Sequence, residues 1–130
     1  MKMEDRKYDL EERLLDYATG IIKLTELMPN TVAAKHIAKQ LLRSGTSPLA
    51  NHGEAQAAES SNDFIHKMKL CLKELRESHR WLRLIERTNM TPVSVELGPI
   101  LIETEDLIKI FVKSIQTAMS SQKRTSKSMF

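Results

Sequence analysis

Leu10, Leu14, Tyr17, Ile21, Leu24 and Met28 follow one another at steps of 4, 3, 4, 3 and 4. Those steps keep all six side chains on one face of an α-helix. The rhythm returns in Ile65, Met68, Leu72, Leu75, His79 and Leu82, and again in Leu97, Leu101, Thr104, Ile108, Phe111, Ile115 and Ala118. A weaker version runs through Val32, Ala33, His36, Ile37, Gln40 and Leu41. No stretch alternates with the period of two that a strand requires. With four Gly and four Pro in 130 residues, few turns are available. The chain therefore reads as all-α, with helices over about 8–28, 31–58, 61–87 and 94–119.

Local signals agree with these limits. Met28-Pro29 ends the first helix, since the residue before a proline is pushed out of helical geometry. Asn30 and Thr31 are both acceptable N-caps for the second. Ser60 with Asp63 resembles a capping box at the start of the third. Gly98-Pro99 suits an irregular first turn of the fourth, where a missing N–H costs nothing. Short connections make consecutive helices antiparallel neighbours, which predicts an up-down-up-down four-helix bundle over 1–119. Residues 120–130, polar, basic and Ser-rich, are expected to fray into a disordered tail.

The stretch from Gln40 to Ser60 breaks the pattern. Continuing the phase of Ile37 and Leu41 gives Ser44, Ser47, Asn51 and Glu54, so an apolar stripe becomes polar. Pro48 lies inside it and removes the bond to the Ser44 carbonyl, at about 3 kcal/mol in a helix interior. Either the helix kinks at 44–48, or it breaks and restarts with Ser47 as N-cap. Gly45, Ala50, Gly53, Ala55, Ala57 and Ala58 are small neighbours that let another helix approach.

The pattern Gln40-Leu41-x-Arg43-Ser44-x-x-Ser47, then Ala50-Asn51 and Glu54-Ala55, then Asp63-Phe64, Lys67 and the run from Lys73-Glu74 to Trp81-Leu82, resembles the four-helix bundle proteins encoded in intervening sequences of bacterial 23S rRNA genes. The resemblance covers nearly the whole chain, with His52 standing where an aromatic or aliphatic residue is expected. It implies a bundle that assembles as a homopentameric ring. It assigns no established biochemical role. A related accessory protein of diversity-generating retroelements is a basic pentamer that works with nucleic acid and a reverse transcriptase.

Candidate sites divide into two groups. Arg43, Ser44, Ser47, Asn51 and Glu54 are expected to form a buried polar network or subunit contact, with Arg43 or another helix supplying a partner for Glu54. A hydrolase built from Ser47, His52 and Glu54 is disfavoured, because Ser47 and His52 point about 140° apart on one helix. His36, His52, His66 and His79 show no paired ligand spacing, so no metal or other cofactor is expected. Cys71 reads as a small core hydrophobe and excludes an internal disulfide. Trp81 is either half-buried in the bundle or an interface anchor.

Lys69, Lys73, Arg76, Arg80, Arg83 and Arg87 form the second group. Their steps of 4, 3, 4, 3 and 4 draw a straight cationic ridge about 100° from the core face. It is either a solvated face paired with acidic helices and with Glu77 and Glu86, or a phosphate-contacting surface. The net charge of +3 hides an asymmetry: residues 1–30 and 91–119 are each −2, whereas 61–90 and 120–130 are each +3. The start of the chain has no apolar h-region and no run spans a membrane, so a soluble cytoplasmic protein is expected. Two functions fit: a non-enzymatic oligomeric scaffold, its main partner a second copy of itself, or a ring that binds structured RNA or a ribonucleoprotein.

Overall fold

Four helices account for nearly all of the computed structural model, which describes residues 3–128 and the side chains of residues 10–125. They are α1 (Met3–Glu26), α2 (Val32–Gln56), α3 (Ser61–Thr88) and α4 (Gly98–Ser128), and no strand occurs among the described residues. Helix α1 packs on α2, α2 on α3, α3 on α4, and α4 closes against α1; the diagonal pairs meet only through core side chains such as His52 and Phe111. Cross-links show that neighbours run in opposite directions. Arg43 meets Glu74 and Glu77 while Glu54 meets Lys67 across α2–α3. His79 meets Glu105 while Asn62 meets Gln122 across α3–α4. The result is an antiparallel four-helix bundle.

The helix ends follow from local chemistry. The Thr31 hydroxyl accepts the Ala34 N–H at 3.1 Å, and the Ser60 hydroxyl accepts the Asp63 N–H at 3.0 Å. Each supplies an acceptor to an otherwise orphaned first-turn donor. Helix α3 stops at Asn89, the single non-Gly residue with positive φ among those described (φ 53°). Its N–H bonds to the Glu86 carbonyl and that of Met90 to the Ile85 carbonyl, the paired pattern of a Schellman motif. Helix α4 starts at Gly98, later than the expected 94, with Pro99 in its first turn and the Leu101 N–H bonded to the Leu97 carbonyl.

Three expectations meet the structure. The alternative left open at Pro48 is decided against a break: α2 is one element from Val32 to Gln56. The hydroxyls before Pro48 turn back on the preceding turn, Thr46 to the Leu42 carbonyl at 2.7 Å and Ser47 to the Arg43 carbonyl at 2.7 Å. The expected tail is corrected, because α4 continues through residues 120–128. Nothing from Ile100 onward is Gly or Pro, so no residue stops it, and Gln122 reaches across to Asn62 on α3. Residues 129 and 130 lie outside the described residues. A second correction concerns phase. On α2 the buried set is Ala34, Ile37, Leu41 and Ser44, while Val32, Ala33 and His36 are exposed. On α3, Ser78 is buried while Leu72 and His79 are only half-buried, and Cys71 is buried as expected.

The core is mainly aliphatic, with Tyr17 and Phe111 as its buried aromatics: Leu14, Ile21, Leu41, Met68, Leu75, Leu82, Ile85, Leu107 and Phe111 are all fully enclosed. Fully burying one such side chain contributes about 1.5–3 kcal/mol. Gly45 sets the α1–α2 spacing. A Cβ built there would stand 2.8 Å from both Cγ1 and Cγ2 of Ile21.

Candidate nucleic-acid interface

The five residues expected to form one polar network separate. Arg43 lies on the outside of α2 and clasps two carboxylates of α3, Glu74 at 2.8 Å and Glu77. Ser47 is bonded within its own helix, and Asn51 is half-buried. Glu54 is exposed, with the Lys67 ammonium 3.4 Å away. Only Ser44 enters the core. The reason is angular: the buried stripe of α2 continues from Leu41 through Ser44, Gly45 and Pro48 to His52 and Ala55, not through Ser47, Asn51 and Glu54.

Ser44 belongs instead to a hydroxyl belt across the bundle. Its Oγ lies 2.8 Å from Ser78 Oγ on α3. Tyr17 Oη on α1 lies 2.8 Å from Thr104 Oγ1 on α4, and Thr104 also donates to the Ile100 carbonyl at 2.6 Å. Burial pushes the Tyr17 phenol up to about 12, against hydrogen bonds with Thr104 and Ser78 that favour the phenolate. Each helix thus contributes one buried hydroxyl at the same level. The signal was present in the sequence, where Tyr17 and Thr104 interrupt apolar stripes, but Ser78 lay one step off the expected phase of α3.

Ser47, His52 and Glu54 do not meet. His52 is 4 % exposed, with its ring edge-on to Phe111 and the centroids 6.1 Å apart. Its Nδ1 is buried without a hydrogen-bond partner among the described residues. Burial lowers its pKa, partly offset by Glu11. A neutral ring packed on an aromatic fits the aliphatic or aromatic position that the resemblance implies. Cys71 is sealed under the Pro48 carbonyl, 3.6 Å from its oxygen, and burial pushes the thiol up to about 12.

The cationic ridge is where the sequence places it. Lys69, Lys73, Arg76, Arg80, Arg83 and Arg87 are all exposed. None of the six has a hydrogen-bond or ion-pair partner among the described residues. Of the acids expected to neutralise them, Glu86 is exposed without an ion pair among the described residues, and others are engaged elsewhere. Glu77 takes Arg43 and the Trp81 indole N–H at 3.0 Å, and Glu105 faces His79. Helix α2, which meets α3 along Lys67, Glu74 and Trp81 on the flank away from the ridge, carries no Asp or Glu from Val32 to Gly53 but three cations, Lys35, Lys39 and Arg43. By sequence α1 is net acidic and α2, α3 and α4 are net basic. No helix among the described residues is long and apolar enough to cross a membrane.

Comparison with known proteins bears on this arrangement. The family described as 23S rRNA-intervening sequence protein matches residues 6–113. A crystal structure from Bacteroides thetaiotaomicron, a protein of unknown function from the S23 ribosomal protein family, is 33% identical. The match covers 81% of this chain and 96% of that one, with a TM-score of 0.74. No curated protein matches the chain.

Proposed function

The chain belongs to the 23S rRNA-intervening sequence protein family, and on that premise we propose that it is a non-enzymatic RNA-binding bundle whose contact surface is the ridge of α3. The supporting observation is the exposure of six collinear cations without a partner. Like charges at i, i+3 and i, i+4 repel by roughly 0.2–0.5 kcal/mol per pair. No ion pair among the described residues relieves the successive pairs from Lys69 to Arg87. A polyanion relieves them and releases its own counterions in doing so. Neutralising about four phosphates of a single strand gives a log–log salt slope near −2.8, from about −0.7 per contact. Reversing Arg76, Arg80 and Arg83 to Glu is expected to abolish binding with the helical content intact. Binding that ignores both salt and the substitutions would refute the ridge.

A self-assembling scaffold is the second reading, with a homopentamer as the expected form. Its supporting observation is the exposure of Leu15, Ile22 and Ile102 on α1 and α4. The readings are compatible, since a ring would repeat the ridge and raise the local potential. Light scattering that gives a monomer mass at micromolar concentration would exclude the scaffold.

A further inference from the structure

His36 and Trp81 stand edge to face across the α2–α3 seam, with ring centroids 6.4 Å apart and planes at 87°. His36 is exposed and Trp81 half-buried. The indole is fixed from below, because its N–H donates to Glu77, whose carboxylate is also taken by Arg43. That carboxylate is neutralised, so it does not repel an anion above it. Lys35 and Lys39 are exposed on α2 near His36, and Arg80 is exposed on α3 about 100° round the helix from Trp81, toward the ridge. Leu84, one turn beyond Trp81, exposes an apolar side chain at the same seam. Cations interleaved with aromatic faces are the chemistry of single-strand recognition, because every unpaired base offers a π-face while the phosphates follow the charges. A duplex keeps its bases stacked and presents mainly its backbone, for which the rings would be idle.

Resting on the ridge reading, we propose that the outer face of α3 takes single-stranded RNA, with an unpaired base packed against Trp81 and His36 at the α2 seam and the backbone crossing that face to Arg80 and the ridge. Trp81 is the chain's one tryptophan, so its fluorescence reports on this position alone. The experiment titrates a short single-stranded RNA and the same sequence as a duplex into the full chain, following both anisotropy and tryptophan emission. The variants are His36→Ala, His36→Phe and the triple reversal of Arg76, Arg80 and Arg83 to Glu.

The single strand is expected to bind more tightly than the duplex and to quench Trp81. His36→Ala is expected to weaken single-strand binding by roughly 5- to 100-fold without changing the salt slope, as loss of one stacking contact does. His36→Phe, which keeps a π-face, is expected to retain affinity. Equal affinity for duplex and single strand, or His36→Ala with unchanged affinity and quenching, overturns the stacking site. If the triple reversal then still abolishes binding, the ridge reading survives alone. If the reversal has no effect, both fall together.

Discussion

Ser44 and Ser78 share a 2.8 Å hydrogen bond with both residues at 0 % exposure, at the centre of the α2–α3 seam. Neither hydroxyl has water to fall back on. Removing one takes a partner from the other, but Ser44 retains a long contact to the Leu41 carbonyl at 3.4 Å and Ser78 its hydrogen bond with Tyr17. Each single alanine variant is therefore expected to cost about 1 kcal/mol, the low end of the ~1–3 kcal/mol of a fully orphaned buried hydroxyl. The double alanine variant should cost less than the sum of the two. Thermal melting of the three variants gives the coupling directly.

Gly45→Ala places a methyl group 2.8 Å from two carbons of Ile21. Two effects oppose each other. Alanine improves helix propensity by about 1 kcal/mol over glycine. Overpacking a dense seam costs about 1–3 kcal/mol. The clash is with the branched part of a fully buried side chain, which has no free rotamer to retreat to, so the net effect is destabilising. Combining Gly45→Ala with Ile21→Ala should recover part of the loss, read as a double-mutant cycle by chemical denaturation.

His52 gives stability a pH dependence. Its pKa is lowered in the folded state by burial, so the unfolded chain binds the proton more readily. The contribution is present in full above the ordinary histidine value of about 6.5 and is lost as pH falls below it. His52→Leu keeps an apolar side chain against Phe111 and removes the titration. Comparing melting temperatures at neutral and mildly acidic pH, wild type beside the variant, isolates this effect from the carboxylates. Parallel curves for the two proteins would mean that His52 is protonated at no cost.

Glu54→Ala is expected to change the melting temperature little. A buried and paired Glu54 would have cost about 3–5 kcal/mol on loss of its partner. Its side chain is instead 60% exposed, with Lys67 at 3.4 Å, and exposed pairs of this kind are worth about 0–1 kcal/mol. A large loss of stability, or a change in oligomer mass, would place Glu54 in a contact outside the single chain.

The fold was legible because four helices each announce themselves by spacing, and Thr31, Ser60 and Asn89 mark ends with recognisable cap chemistry. The site was legible only in its charges. Lys69 to Arg87 lie in a line that survives small errors of phase, since a whole exposed face accommodates them. The buried polar residues do not tolerate such errors. One step along a helix is about 100°, enough to exchange Ser78 for His79, or Gly45, Pro48 and His52 for Ser47, Asn51 and Glu54. Helix α2 was the hardest to phase because its first turns are nearly all small or polar, leaving Val32 and His36 as misleading markers. Pro48 signalled a break that the neighbouring turns absorb. The pairing of His36 with Trp81 needed the α2–α3 register, which no single-helix pattern contains.

Cys71 has a practical consequence. A thiol at zero exposure, held beneath the Pro48 carbonyl and pushed up to about 12, offers almost no thiolate at neutral pH. The thiolate is the form that alkylates and exchanges. The native chain is thus chemically silent toward maleimides while folded. A cysteine introduced on the ridge, at Lys73 or Arg87, could carry a fluorophore or cross-linker as the single reactive position, with Cys71 left in place and the core undisturbed.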